Sequence, residues 1–268
     1  MKTINTTVKS KRNTDIPVTV VDSETSNPGL VIFAHGFKAE RHEGGRFTEV
    51  AERLAEVGIN SIRMGFPGCD ESKEDFFYYS LTNDLDDIES CYEYMLDTYN
   101  INREHLGMIG YSMGGRLTSL FIDTHPEIKT IGFWAGACLD YHDNDDFLGG
   151  NIIEMRKEAN ENGFVDFLNY FDNDRIKLSK QFIDDMDNMD TKKGLNMFDG
   201  SAIVVHGTED TSVDIKVSDF IMDNMTNARN KKKVIVEGAN HGFGLWDNHP
   251  EQSQILVNET VEFFKQYL

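Results

Sequence analysis

The chain has 268 residues, 39% of them hydrophobic and 27% charged, a balance that suits a packed globular core and excludes a disordered or fibrous chain. Its 46 acidic residues against 26 basic give a net charge of −20, which disfavours nucleic-acid backbones and anionic lipid as partners. No run approaches about 18 consecutive apolar residues, and Met1 to Val8 lack the apolar core of a secretory signal, so no membrane span and a cytoplasmic protein are expected.

Along the chain, β-rich runs alternate with amphipathic helical stretches. A strand at Ile16–Val21 comes first, then one at Leu30–Ala34, where the run LVIFA is wholly apolar. A helical stripe through Phe47, Val50, Leu54 and Val57 leads to a strand at Ser61–Met64. A second stripe, through Leu81, Leu85, Ile88, Tyr92 and Met95, leads to a strand at Leu106–Ile109. Strands at Thr130–Trp134, Ala202–His206 and Lys233–Val236 follow, and a last stripe runs through Val257, Val261, Phe264 and Leu268. Almost wholly apolar strands mark a parallel sheet covered on both faces. The alternation predicts an α/β fold with a right-handed, doubly wound, mostly parallel sheet.

Residues 139–198 interrupt this alternation. They contain no convincing strand, and they scatter aromatic residues among 14 acidic and seven basic ones. Such a segment is too long for an ordinary loop. It is expected to form a helical cap over the carboxyl ends of the strands, where open α/β sheets bind ligands. The domain reading is a core of residues 1–138 and 199–268 with this cap inserted. Cys69, Cys91 and Cys138 are odd in number and lack paired spacing, so neither a disulfide framework nor a zinc site is expected.

Chemistry concentrates in four places. Gly110-Tyr111-Ser112-Met113-Gly114 joins an apolar strand to a helical run, a turn so tight that small residues must flank the serine and present its hydroxyl above the sheet. A serine hydroxyl needs a base to take its proton, and that base needs an orienting acid. Asp210 follows one strand, in His206-Gly207-Thr208-Glu209-Asp210, with Glu209 and Asp214 as rival acids. His241 follows the last strand, in Gly238-Ala239-Asn240-His241-Gly242-Phe243. The fourth place is Ala34-His35-Gly36-Phe37, after the strand LVIF.

In this order and setting the four motifs resemble those of serine hydrolases of the α/β-hydrolase superfamily, over about residues 29–138 and 201–268. The resemblance implies Ser112 as nucleophile, His241 as base and Asp210 as orienting acid, with the backbone N–H groups of Phe37 and Met113 binding the oxyanion. Asp210, rather than Glu209 or Asp214, matches the superfamily's spacing of a glycine, an aspartate three positions on and a valine three positions after that, here Gly207, Asp210 and Val213. His35 is expected to brace its loop. The other histidines, His206 among them, carry no motif and are expected to pack or face solvent.

The His-Gly-Phe motif, the insertion and the length resemble cinnamoyl and feruloyl esterases and related carboxylesterases. The ending around His241 is also similar to dienelactone hydrolases and prolyl-oligopeptidase-like peptidases, although 268 residues leave no room for the propeller such peptidases usually carry. Arg63-Met64-Gly65-Phe66-Pro67-Gly68-Cys69-Asp70-Glu71-Ser72 departs from the esterase pattern after its fourth strand, so that loop is expected to be built differently. Tyr141, Phe147, Phe167, Tyr170 and Trp246 are candidates to line an acyl pocket, with ordinary core packing as the alternative. The resemblance implies a carboxylic ester hydrolase acting on small or aromatic acyl esters, without metal or organic cofactor. A peptidase or amidase with the same residues, and a non-catalytic binding protein of the same fold, stay as alternatives. A small-molecule ester is the expected partner; whether the chain forms a homodimer stays open.

Overall fold

A computed structural model describes residues 1–139, 146–168 and 173–268. An antiparallel hairpin of β1 (Lys2–Lys9) and β2 (Asp15–Asp22) opens the chain. Then follow β3 (Gly29–Ala34), α1 (Arg46–Ala55), β4 (Ile59–Met64), α2 (Leu81–Thr98), β5 (Leu106–Tyr111), α3 (Met113–Thr124) and β6 (Thr130–Trp134). The insertion holds β7 (Asp146–Phe147), β8 (Gly150–Asn151), α4 (Ile152–Asn162), β9 (Phe164–Leu168), β10 (Arg175–Ser179), α5 (Lys180–Asn188) and α6 (Thr191–Met197). The chain closes with β11 (Ser201–Gly207), α7 (Lys216–Asn224), β12 (Asn230–Val236) and α8 (Pro250–Tyr267).

Eight strands form one sheet in the order β1-β2-β4-β3-β5-β6-β11-β12, parallel from β4 onward. Alternation along β3 explains the doubly wound layers. Val31 and Phe33 point to a core shared with Phe47, Val50 and Leu54 of α1 and Val257, Val261 and Phe264 of α8. Leu30 and Ile32 point the other way, to a core shared with Ile88 and Met95 of α2, Leu117 and Phe121 of α3, and Ile221 of α7. Because both faces are covered, all six residues of β3 are buried, as its apolar run requires. Ser80 caps α2 by accepting from Asn83 N–H. This is the α/β-hydrolase fold.

Three features differ from the sequence reading. β1 was not expected, because only Val8 of its eight residues is buried and an edge strand needs no apolar pattern. The stripe of α1 ends at Leu54; Val57 lies beyond the helix and is exposed. The insertion carries helices but also two antiparallel ribbons, β7–β8 and β9–β10, where no strand was expected. In β9 and β10 the inward residues are Val165, Phe167, Ile176 and Leu178, with charged residues between them. The run FVDFL of β9 is apolar at its exposed end as well as at its buried positions, and RIKLS of β10 has only two apolar residues, so neither five-residue run reads as period two.

The insertion shares the core on the α2–α3 face, where Phe147, Phe167, Leu178, Phe182 and Met186 join the sheet's own residues. α6 lies against α3, and a Cβ at Gly194 would stand 1.9 Å from the Ser119 carbonyl oxygen. Asp185 of α5 accepts from Thr82 N–H at 2.8 Å and from its hydroxyl at 3.0 Å, pinning the insertion to the start of α2. No helix among the described residues is long and apolar enough to cross a membrane.

Candidate active site

Ser112 occupies the single residue between β5 and α3, with φ 53° and ψ −116°. That conformation is sparsely populated for a residue with a side chain and persists only when its surroundings fix it. Here the fixing is dense. Ser112 N–H donates to Trp134 O at 2.9 Å, and Ser112 O accepts from Gly115 N–H and Ala137 N–H, both at 2.9 Å. The flanking glycines are required by space. A Cβ at Gly110 would lie 2.1 Å from Gly114 O, and one at Gly114 would lie 1.9 Å from Ala34 O.

From this turn the serine hydroxyl reaches His241 Nε2 at 3.0 Å, and His241 Nδ1 reaches Asp210 Oδ2 at 2.7 Å. With its Nδ1 proton donated to Asp210, the ring presents a lone pair on Nε2 to the Ser112 hydroxyl proton. Asp210 Oδ1 accepts from the N–H groups of Ser212 and Val213, both at 2.9 Å. Burial alone would raise the Asp210 carboxyl; hydrogen bonds from His206, His241 and the Val213 amide overcome it and hold the group well below the usual carboxylate range. His206, expected only to pack or face solvent, is a second ring against this acid. Its Nε2 lies 2.9 Å from Val213 O and 3.2 Å from Asp210 Oδ2. Tyr111 supports His241, its ring stacked 5.0 Å from the imidazole and its hydroxyl donating to His241 O at 2.8 Å.

The loop after β3 lies against the serine. A Cβ on Gly36 would stand 3.3 Å from Ser112 Cβ, so glycine permits this approach. His35 braces the loop, as expected. Its Nε2 accepts from Phe66 N–H at 3.2 Å, which leaves Nδ1 to donate to Gly36 O at 2.8 Å. Burial moves this imidazole down to about 4, so it stays neutral in that tautomer at neutral pH. Carbonyl and N–H point oppositely across a trans peptide, so the Phe37 N–H sharing that plane points away from His35. Met113 opens α3, where first-turn amides have no partner within the helix. The loop that departs from the esterase pattern is anchored in its own way: Gly65 N–H donates to Pro17 O at 2.9 Å, and Asp70 pairs with the buried Arg41.

A cavity of about 500 Å³ opens beside Ser112 and His241. Met113, Ala137, Phe147, Leu148, Val213, Leu245 and Trp246 give it apolar walls, and Lys38, Glu43, Arg46 and Ser212 add polar groups. Of the five aromatic candidates, Phe147 and Trp246 line it. Phe167 does not; it is buried behind the wall, 5.8 Å from the Phe147 ring and 6.4 Å from that of Phe37. Tyr141 and Tyr170 lie outside the described residues. Glu43 and Arg46 were missed, because charged residues in a glycine-bearing loop and at the helix start that follows it carry no motif. Among the described residues no three His, Cys, Asp or Glu side chains converge as a metal site.

The fold has close counterparts among solved structures. Est1E from Butyrivibrio proteoclasticus, bound to ferulic acid, superposes with a TM-score of 0.78 at 18% identity, covering 98% of each chain. The esterase domain of a Rhodothermus marinus protein gives 0.66 at 16% identity, over 98% of this chain and 100% of that one. The Pyrococcus furiosus esterase Pf2001 gives 0.68 at 15% identity, over 99% and 93%. A comparison with curated protein sequences gives no significant match. Residues 79–268 match the prolyl oligopeptidase family. That match spans well over half of the chain, and on it the chain belongs to the prolyl oligopeptidase family, as a serine hydrolase built on the α/β-hydrolase fold.

Proposed function

We propose that the protein is a carboxylic ester hydrolase that works through an acyl-enzyme on small or aromatic acyl esters. The observation that carries this reading is the unbroken path Ser112–His241–Asp210, with contacts of 3.0 and 2.7 Å, opening on a largely apolar cavity. Ser112 Oγ attacks the ester carbonyl while His241 Nε2 takes its proton, and Asp210 stabilises the imidazolium so formed. The N–H groups of Phe37 and Met113 hold the oxyanion, where loss of one donor typically costs about 10²–10³ in rate. His241 then returns the proton to the departing alcohol. Water, activated by the same imidazole, attacks the acyl group and regenerates the hydroxyl. Phe147, Leu148, Leu245 and Trp246 offer the acyl group apolar walls. A relative of the same fold bound to ferulic acid supports an aromatic acyl group.

A second reading, cleavage of an amide or peptide bond by the same residues, is favoured by the family match. Hydrolysis of p-nitrophenyl acetate, butyrate and octanoate and of methyl ferulate, beside the matching amides and with Ser112→Ala as blank, separates the two. Serine-dependent turnover that is far faster on esters is expected. Amide rates equal to ester rates support the second reading, and no serine-dependent turnover on either overturns both.

A further inference from the structure

We propose that Glu43 is a positioning residue for the oxyanion-binding loop, and that with Arg46 it ties that loop to the one carrying His241. The inference rests on the reading of Ser112 as a nucleophile.

Glu43 and Arg46 each have side chains only 5% exposed, and both residues line the cavity beside Ser112. Glu43 sits at φ 47°, in a turn where Gly44 and Gly45 also have positive φ. A buried charge on a left-handed backbone serves stability poorly on both counts, so its contacts point to another use. Oε1 accepts from Gly36 N–H at 2.8 Å. Gly36 O accepts from His35 Nδ1–H at 2.8 Å and from Ala39 N–H at 3.2 Å. Gly36 is therefore held at both its amide and its carbonyl, which fixes the two peptide planes that aim Phe37 N–H.

The other oxygen faces Arg46. Glu43 Oε2 lies 3.5 Å from Arg46 Nη2, and Arg46 Nε donates back to Glu43 O at 3.0 Å. Arg46 Nη1 donates to Gly242 O at 2.8 Å, and its guanidinium lies 5.2 Å over the ring of Tyr111, which stacks on His241. Two loops distant in sequence, one with an oxyanion donor and one with the base, are thus joined through one buried ion pair. Burial pushes the Glu43 carboxyl up to about 7, against Arg46 and the Gly36 amide, which both favour the anion.

Glu43→Gln and Glu43→Met test this, being similar in size while only the amide can accept from Gly36 N–H. The readouts are kcat and KM on p-nitrophenyl butyrate, the rate at which a fluorophosphonate probe labels Ser112, and thermal melting. Glu43→Met is expected to lower kcat and labelling about 10- to 100-fold with KM within about threefold, and Glu43→Gln to recover most of that loss. A folded Glu43→Met protein with wild-type labelling and kcat overturns the proposal, as does a loss carried by KM alone or one that Glu43→Gln fails to restore. Should Glu43→Met not fold, Arg46→Lys decides, since one ammonium cannot hold both Glu43 and Gly242 as the guanidinium does; an unchanged kcat overturns the coupling. Absent labelling of the wild-type protein overturns the reading of Ser112 and the proposal with it, and needs no variant to be seen.

Discussion

The two sides of the cleft are held by different forces. On the sheet side, backbone geometry fixes the reacting groups. Ser112 sits in a strained turn bonded to Trp134, Gly115 and Ala137, and Gly110 and Gly114 are packed too closely for a side chain. On the insertion side, position comes from ring packing. The half-buried ring of Phe37 has those of Phe76, Tyr79, Phe147, Phe167 and Phe182 within 6.4 Å. Backbone constraints admit few residue types, so they bind chemistry to sequence. Ring packing accepts many, so it shapes a pocket while leaving little signature. Phe37 belongs to both sides: it lines the cavity beside Ser112, and its ring packs against the insertion.

Four variants break or sharpen this contrast. Asp210→Asn keeps the shape of the sheet side but removes the charge that orients His241; kcat is expected to fall about 10⁴-fold with little change in KM, measured by steady-state ester hydrolysis. Phe167→Ala opens a hole on the insertion side and is expected to destabilise the fold by about 3–5 kcal/mol in denaturant titration. Activity per folded molecule should stay within about tenfold, since Phe167 touches no reacting group; a collapse to the Asp210→Asn level would show that the two sides are not separable.

His35 belongs to the sheet side and titrates. Its folded pKa is depressed, from 6.5 to about 4. Between those values the unfolded chain binds a proton that the folded one refuses, so stability due to the neutral ring is full above pH 6.5 and drains away as pH falls to about 4. His35→Asn should therefore be less stable than wild type at pH 7.5, with the gap narrowing by up to about 3 kcal/mol by pH 4. Carboxyls whose values are raised, such as Glu43 and Asp87, act in the opposite direction in both proteins and cancel in the difference. A gap independent of pH would contradict the depressed pKa and the neutral buried ring. The smallest effect is expected at Trp246, more than half exposed at the cavity rim. Trp246→Ala should leave stability within about 0.5 kcal/mol and raise KM for aromatic esters several-fold, with acetate esters unaffected.

Legibility follows the same division. β3, β5 and β11 could be read because burial on both faces demands unbroken apolar runs. The motifs of Ser112, Asp210 and His241 could be read because each residue lies within five positions of a strand end, in a segment with glycines at set places. β1 and the ribbons β7–β8 and β9–β10 could not: β1 and β10 have few apolar residues, β7 and β8 are two residues long, and β9 is apolar without alternating. Phe147 and Phe167 look alike in sequence and both are buried, yet one lines the cavity and the other lies behind it; spacing can mark a ring as buried without saying which one borders the cavity. His206, Glu43 and Arg46 became visible only once the fold set them beside Asp210, Gly36 and Gly242.

The central claim, that Ser112 is an activated nucleophile oriented through His241 and Asp210, is tested most directly by exposing the protein and its Ser112→Ala and His241→Ala variants to a fluorophosphonate probe and reading the modified residue by peptide mass. Rapid labelling confined to Ser112, lost in Ser112→Ala and slowed at least about 10³-fold in His241→Ala, is the predicted result. Folded wild-type protein that takes up no label, or labels equally fast without His241, would contradict it.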